Sequence, residues 1–138
     1  MKTIITSSEQ ETKNIAKELA SRIDKNAVIV LSGELGAGKT KFTEGFLSYF
    51  GLENQISSPT FTIVNEYKNV KVLIYHFDVY RLADVDEFYA IGGEEYFSKG
   101  ICIIEWGEII EEVLPKDCIR ISIKKDEDNF DKRIIEIK

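Results

Sequence analysis

The chain has 138 residues, 43% of them hydrophobic and 30% charged, which suits one globular domain with a single core over residues 1–138 and is short for two. A formal net charge of −6 excludes an independent nucleic-acid binder that works by overall charge and leaves only local basic patches for that purpose. No apolar stretch approaches the roughly 18 residues of a membrane span, and no leader or lipidation pattern is present; Cys102 and Cys118 sit in apolar runs, so the expectation is a cytoplasmic protein with two small buried thiols and no contact with membranes.

Ser8 followed by Glu11 has capping-box spacing, and Ile15, Ala16, Leu19, Ala20 and Ile23 mark one apolar face. This predicts an amphipathic helix from Glu9 to Asp24 packed on a sheet. Ala27 to Leu31 is an apolar run of the buried-strand type. It leads into Gly33-Glu34-Leu35-Gly36-Ala37-Gly38-Lys39-Thr40, a complete G-x-x-x-x-G-K-[ST] pattern. Lys41 to Phe50 then carries Phe42, Phe46, Leu47 and Phe50 at helical spacing, with Gly51 as the stop. Strand, glycine loop and helix stand in the order this pattern requires. Its glycines let backbone N–H groups turn inward around a phosphate at the positive end of the helix. Lys39 then reaches the outer phosphates as a mobile charge, and the Thr40 hydroxyl ligates Mg²⁺.

After an irregular stretch to Pro59, the runs Thr60 to Tyr67 and Val70 to Phe77 are separated only by Lys68-Asn69. So short a connection holds no crossover helix, which predicts an antiparallel hairpin and a mixed sheet. Asp78 leaves a strand whose alternation suggests one polar face. Asp84 caps a short helix through Ile91, Gly92-Gly93 breaks it, and Glu94 to Ser98 adds a turn. Ile101 to Ile104 is a second buried-strand run, ending at Glu105-Trp106, and a brief helical segment reaches Leu114-Pro115. Cys118 to Ile123 and Lys132 to Ile137 form a late hairpin, expected at the edge of the sheet.

A phosphate loop needs an acidic residue at a neighbouring strand end to anchor Mg²⁺ from the other side. Asp78 and Glu105 both qualify, and the four apolar residues before Glu105 make it the better candidate. Thr60, in Ser58-Pro59-Thr60-Phe61, either senses the third phosphate as a switch hydroxyl or simply begins a strand. His76, the only histidine, reads as an ordinary half-buried side chain, and Arg81 either touches a phosphate or makes a surface ion pair.

Taken together, Gly-Glu-Leu-Gly-Ala-Gly-Lys-Thr, Ser-Pro-Thr-Phe, His76-Phe77-Asp78-Val79-Tyr80-Arg81-Leu82 and Glu105-Trp106, in this order and spacing, resemble the bacterial TsaE (YjeE) family over about Ser7 to Arg133. The resemblance implies an α/β fold, a P-loop NTPase-like mixed parallel and antiparallel sheet with flanking helices. It also implies slow hydrolysis of ATP with Mg²⁺, in partnership with a TsaB–TsaD pair that makes threonylcarbamoyladenosine on tRNA, the tRNA being reached through that pair. Carried over by position, Glu34, Leu35, Gly36, Ala37, Gly38, Lys39 and Thr40 hold the phosphates, with Lys39 also catalytic. Thr40 and Glu105 hold the metal, Asp78 is the acid of the His-x-Asp motif and Thr60 the switch threonine. Trp106 is the aromatic beside the site, and Thr12 and Arg133 lie near the base. The chain stops at Lys138, soon after its last strand, so contributions from a longer C-terminus in relatives are not carried over.

A small-molecule kinase uses the same loop, but four arginines and no inserted lid-like segment count against it. A GTPase lacks its Asn-Lys-x-Asp sequence here. An adaptor that holds ATP without turnover keeps the loop and stays open as an alternative.

Overall fold

The structure, a computed structural model, describes residues 2–34, 36–56 and 63–138. Its first helix, α1 (Glu9–Ala20), opens on the expected cap, with the Ser8 hydroxyl accepting from the Glu11 N–H at 3.1 Å. The Glu11 carboxylate reaches back to the N–H of Ser7. The helix stops short of Asp24 because Ser21 turns both its N–H and its hydroxyl onto the Glu18 carbonyl and closes the last turn. The second helix, α2 (Lys39–Tyr49), begins two residues before the predicted Lys41 and buries Phe42, Phe46 and Leu47. Past its end, the Leu52 N–H returns to the Leu47 carbonyl at 3.0 Å across Gly51, as a left-handed stop does.

The two apolar runs become β2 (Val28–Gly33) and β5 (Ile101–Glu105), paired in parallel with Leu31 opposite Glu105. β4 (Leu73–Asp78) lies parallel on the other side of β5, and β3 (Val64–Lys68) returns antiparallel to β4. The hairpin is thus present, but with a wider turn than Lys68-Asn69. The Asn69 side chain accepts the N–H groups of Lys71 and Val72 at 2.8 and 3.0 Å, which delays the second strand to Leu73. β4 has no polar face along its middle: Ile74, Tyr75, His76 and Phe77 are all buried, as befits a strand flanked on both sides. A short helix, α3 (Val85–Ala90), is capped by Asp84 through the Glu87 N–H at 3.2 Å.

β6 (Ile119–Lys125) and β7 (Arg133–Ile137) form the late hairpin, but not at the edge. The edge is taken by β1 (Lys2–Thr6), antiparallel to β7 with Thr6 opposite Arg133. Lys-Thr-Ile-Ile-Thr has no alternation from which to predict a strand; pairing with β7 supplies what the local pattern lacks. The complete order is β1-β7-β6-β2-β5-β4-β3, a mixed parallel and antiparallel sheet with flanking helices.

The chain divides into two compact units. The first, Met1–Ile23, Ser32–Ile56 and Arg120–Lys138, contains α1, α2 and the glycine loop. The second, Asp24–Leu31 and Ser57–Ile119, has a core built around Val28, Tyr75, Phe77, Phe88, Cys102 and Ile104. Burial pushes the Cys102 thiol up to about 12, so it stays protonated and behaves as a small hydrophobe. Cys118, expected to be buried, is only half-buried. Among the described residues no helix is long and apolar enough to cross a membrane.

Candidate functional site

In the first unit, the loop after β2 turns through Gly36 and Gly38, whose φ angles of 80° and 115° suit glycine and strain other residues. The Ala37 N–H closes onto the Glu34 carbonyl at 3.0 Å, which tucks Ala37 into the core while Glu34 stays exposed. Gly38 is the N-cap of α2 and provides no side-chain hydrogen bond to the first turn. Gly38 thus brings no side-chain oxygen to the start of this 11-residue helix, a terminus of the kind that suits an anion. Lys39 is the first residue of α2 and half-buried, its carbonyl accepting the Thr43 hydroxyl at 2.9 Å. Thr40, next along, is exposed. Leu35 lies outside the described residues.

Arg133, at the start of β7, is fastened to this loop. Its Nε donates to the Ala37 carbonyl at 2.8 Å, and Nη1 to the carbonyls of Phe130 and Lys132 at 2.7 and 2.9 Å. Thr12 is placed differently: it is buried on α1, with its hydroxyl 2.8 Å from that of Thr6.

In the second unit, Asp78 and Glu105 end β4 and β5 as register partners. Ligands of α/β sheets gather at such carboxyl ends. His76 Nε2 stands 2.6 Å from Glu105 Oε2, with the two side chains only 4% and 14% exposed. An ionised carboxylate only accepts, so the Nε2–H donates; Nδ1 is buried without a partner. In register His76 faces Ile103, two residues before Glu105, so the contact is a diagonal one across parallel strands. Only the strand pairing reveals it. Asp78 is engaged otherwise, its Oδ1 accepting the Tyr80 N–H at 3.1 Å to cap a 3₁₀ turn over Val79–Arg81.

Trp106 follows Glu105 with φ 65°, a left-handed backbone rare outside glycine, and caps the turn that follows. Its ring lies 5.1 Å from that of Tyr80, and both rings are partly open to solvent. Among the described residues no group of three or more His, Cys, Asp or Glu side chains stands together as a metal cage. Thr40 in the first unit and Glu105 in the second each carry a hard oxygen donor, the ligand type Mg²⁺ takes alongside phosphates and water. Thr60, with the whole segment 57–62, and the side chain of Arg81 lie outside what the structure describes.

The family model described as "Threonylcarbamoyl adenosine biosynthesis protein TsaE" matches residues 6–135. A protein of Rickettsia bellii called tRNA threonylcarbamoyladenosine biosynthesis protein TsaE is 43% identical over 134 residues, covering 96% of this chain and 92% of the relative. Its namesake from Bacillus subtilis is 45% identical over 121 residues, 87% of this chain and 75% of that protein. Among solved structures, the crystal structure of Bacillus subtilis YdiB matches with a TM-score of 0.76 at 40% identity, covering 97% of this chain and 82% of that one.

Proposed function

This chain belongs to the TsaE family, and from that premise we propose that it is a single-domain ATPase of threonylcarbamoyladenosine biosynthesis. It binds Mg²⁺-ATP at the Gly33 to Thr40 loop, hydrolyses it slowly, and acts in the cytoplasm with a TsaB–TsaD-like pair through which it serves tRNA. The observation that supports this most is the start of α2: an 11-residue helix with no side-chain cap, preceded by two glycines of positive φ. Such a terminus attracts phosphate by its dipole and its N–H donors together.

Each residue then has a task. The loop from Glu34 to Gly38 wraps the phosphates with backbone donors, and Lys39 neutralises the outer ones. Thr40 and Glu105 are the protein groups that hold Mg²⁺, which when bound supplies charge neutralisation on the phosphate oxygens. His76 donates to Glu105 and so fixes the orientation of that carboxylate. Asp78 orients the attacking water, Thr60 senses the third phosphate, and Trp106 shields the site. Arg133 steadies the loop through the Ala37 carbonyl, and Thr12, paired with Thr6, backs the site from within α1.

Turnover by the isolated chain is expected to be slow, on the order of one per minute or less, because an arginine finger alone is worth roughly 10³–10⁵ in rate. Arg133 is held by three backbone carbonyls and is not poised to act as one. The test is a calorimetric titration with ATP and GTP, with Mg²⁺ and with chelator, followed by phosphate release. ATP binding strengthened by Mg²⁺, with slow release, supports the ATPase. Fast turnover stimulated by a small-molecule acceptor contradicts it in favour of a kinase, and binding without any turnover leaves an adaptor.

A further inference from the structure

We propose that Lys125 is a second phosphate-binding cation, presented by the β6–β7 hairpin, and that with Arg133 it forms a basic clamp over the glycine loop for a polyphosphate chain. The proposal rests on the reading of that loop as the nucleotide site.

It begins with the register. Lys125 and Arg133 are directly opposed across the antiparallel pair β6–β7, so both side chains leave the same face of the sheet. Like charges facing each other in this way destabilise a hairpin. Among the described residues no acidic side chain forms an ion pair with Lys125 to relieve the repulsion. The adjacent lysine behaves as a surface lysine does: Lys124, on the opposite face, places its Nζ 3.9 Å from Glu136. Two neighbours of the same type are thus used differently, and the unrelieved pair is the one facing the loop.

The approach to the loop is close. A Cβ added to Gly36 would lie 3.3 Å from Lys125 Nζ and 3.7 Å from its Cε. One added to Gly38 would lie 3.9 Å from Arg133 Nε, and one on Gly33 would meet the Ile123 carbonyl oxygen at 2.5 Å. The strand carrying Lys125 therefore lies along the glycines, and those glycines leave room for its approach. The carboxylates nearest in sequence serve the hairpin turn, where Asp126 accepts the Asp128 N–H at 2.8 Å. Arg133 is fixed against the loop by its bonds to the carbonyls of Ala37, Phe130 and Lys132, while Lys125 forms no ion pair among the described residues; an anchored guanidinium and a reaching ammonium beside backbone donors describe a receptor for a multiply charged phosphate chain. A single phosphate would leave much of that charge unanswered, so the clamp favours tri- and diphosphates over a monophosphate.

The experiment compares Lys125→Ala, Lys125→Arg, Lys124→Ala and Lys39→Ala with the unaltered chain, titrating ATP, AMP and inorganic triphosphate at two salt concentrations. Lys125→Ala is expected to weaken ATP and inorganic triphosphate about tenfold, the loss of one charge-assisted contact, and to flatten their salt dependence. AMP binding should be unmoved, Lys125→Arg should keep most of the affinity, and Lys124→Ala should match the unaltered chain. Full ATP affinity in Lys125→Ala alongside its loss in Lys39→Ala overturns the clamp and leaves the loop as the nucleotide site. Full affinity in both variants overturns the loop reading as well. Equal loss in Lys124→Ala and Lys125→Ala assigns the effect to overall charge and also overturns the clamp.

Discussion

Replacing Lys39 by alanine is expected to lower ATP affinity by about ten- to a hundredfold while leaving thermal unfolding almost where it was. In the proposed site the ammonium would meet the most concentrated negative charge of the ligand, and one charge-assisted hydrogen bond to a phosphate contributes about 1.5–3 kcal/mol. The fold depends on it far less. Lys39 sits at the first position of α2, where a positive charge opposes the helix dipole and alanine is the better helix former. Calorimetric titration beside a melting curve separates the two effects. Undiminished ATP affinity in a folded variant would move the nucleotide away from this loop.

The second large effect concerns the strand-end carboxylates, which should separate by role. Glu105→Ala is expected to abolish most of the gain in affinity that Mg²⁺ gives to ATP while sparing metal-free binding. Asp78→Ala should cut turnover more than binding, since a group that orients water acts on the reaction and not on the ground state. His76→Ala should resemble a weaker Glu105→Ala, in the range of about 10–100-fold for the loss of a supporting hydrogen bond. His76→Gln, which keeps an N–H for the carboxylate, should recover part of that loss. Mg²⁺ titrations of nucleotide affinity, read next to phosphate release, distinguish these outcomes. If Asp78→Ala removes the metal dependence and Glu105→Ala does not, the two roles are exchanged.

Much of this site was legible in the chain because its signals are local. The run from Ala27 to Thr40 places an apolar strand, a glycine turn and a helix start within a few residues, and the structure has all three in that order. The same holds for Asp84 as a helix cap and for Glu105 at the end of its apolar strand. What escaped was set by register between distant strands. His76 looked ordinary because its partner is 29 residues away and two positions along a parallel neighbour. β1 lacked the alternation that marks a strand, and so the β6–β7 hairpin was assigned to an edge that β1 covers. Nothing in the local sequence singles out Lys125; only its pairing with Arg133 and its approach to Gly36 set it apart. Charge patterns in sequence show which residues neighbour one another along the chain, not which face they share.

The most direct test of the proposed function is the affinity of this chain for a TsaB–TsaD-like pair, measured with Mg²⁺-ATP, with Mg²⁺-ADP and without nucleotide. If ATP strengthens the proposed docking through Thr60, the pair is bound more tightly with ATP. By linkage, ATP must then be bound more tightly by the same factor when the pair is present. Thr60→Ala should shrink that factor with little change in metal-free ATP binding. A pair bound equally well in all three conditions would contradict the account and leave a passive adaptor in place of a nucleotide-driven partner.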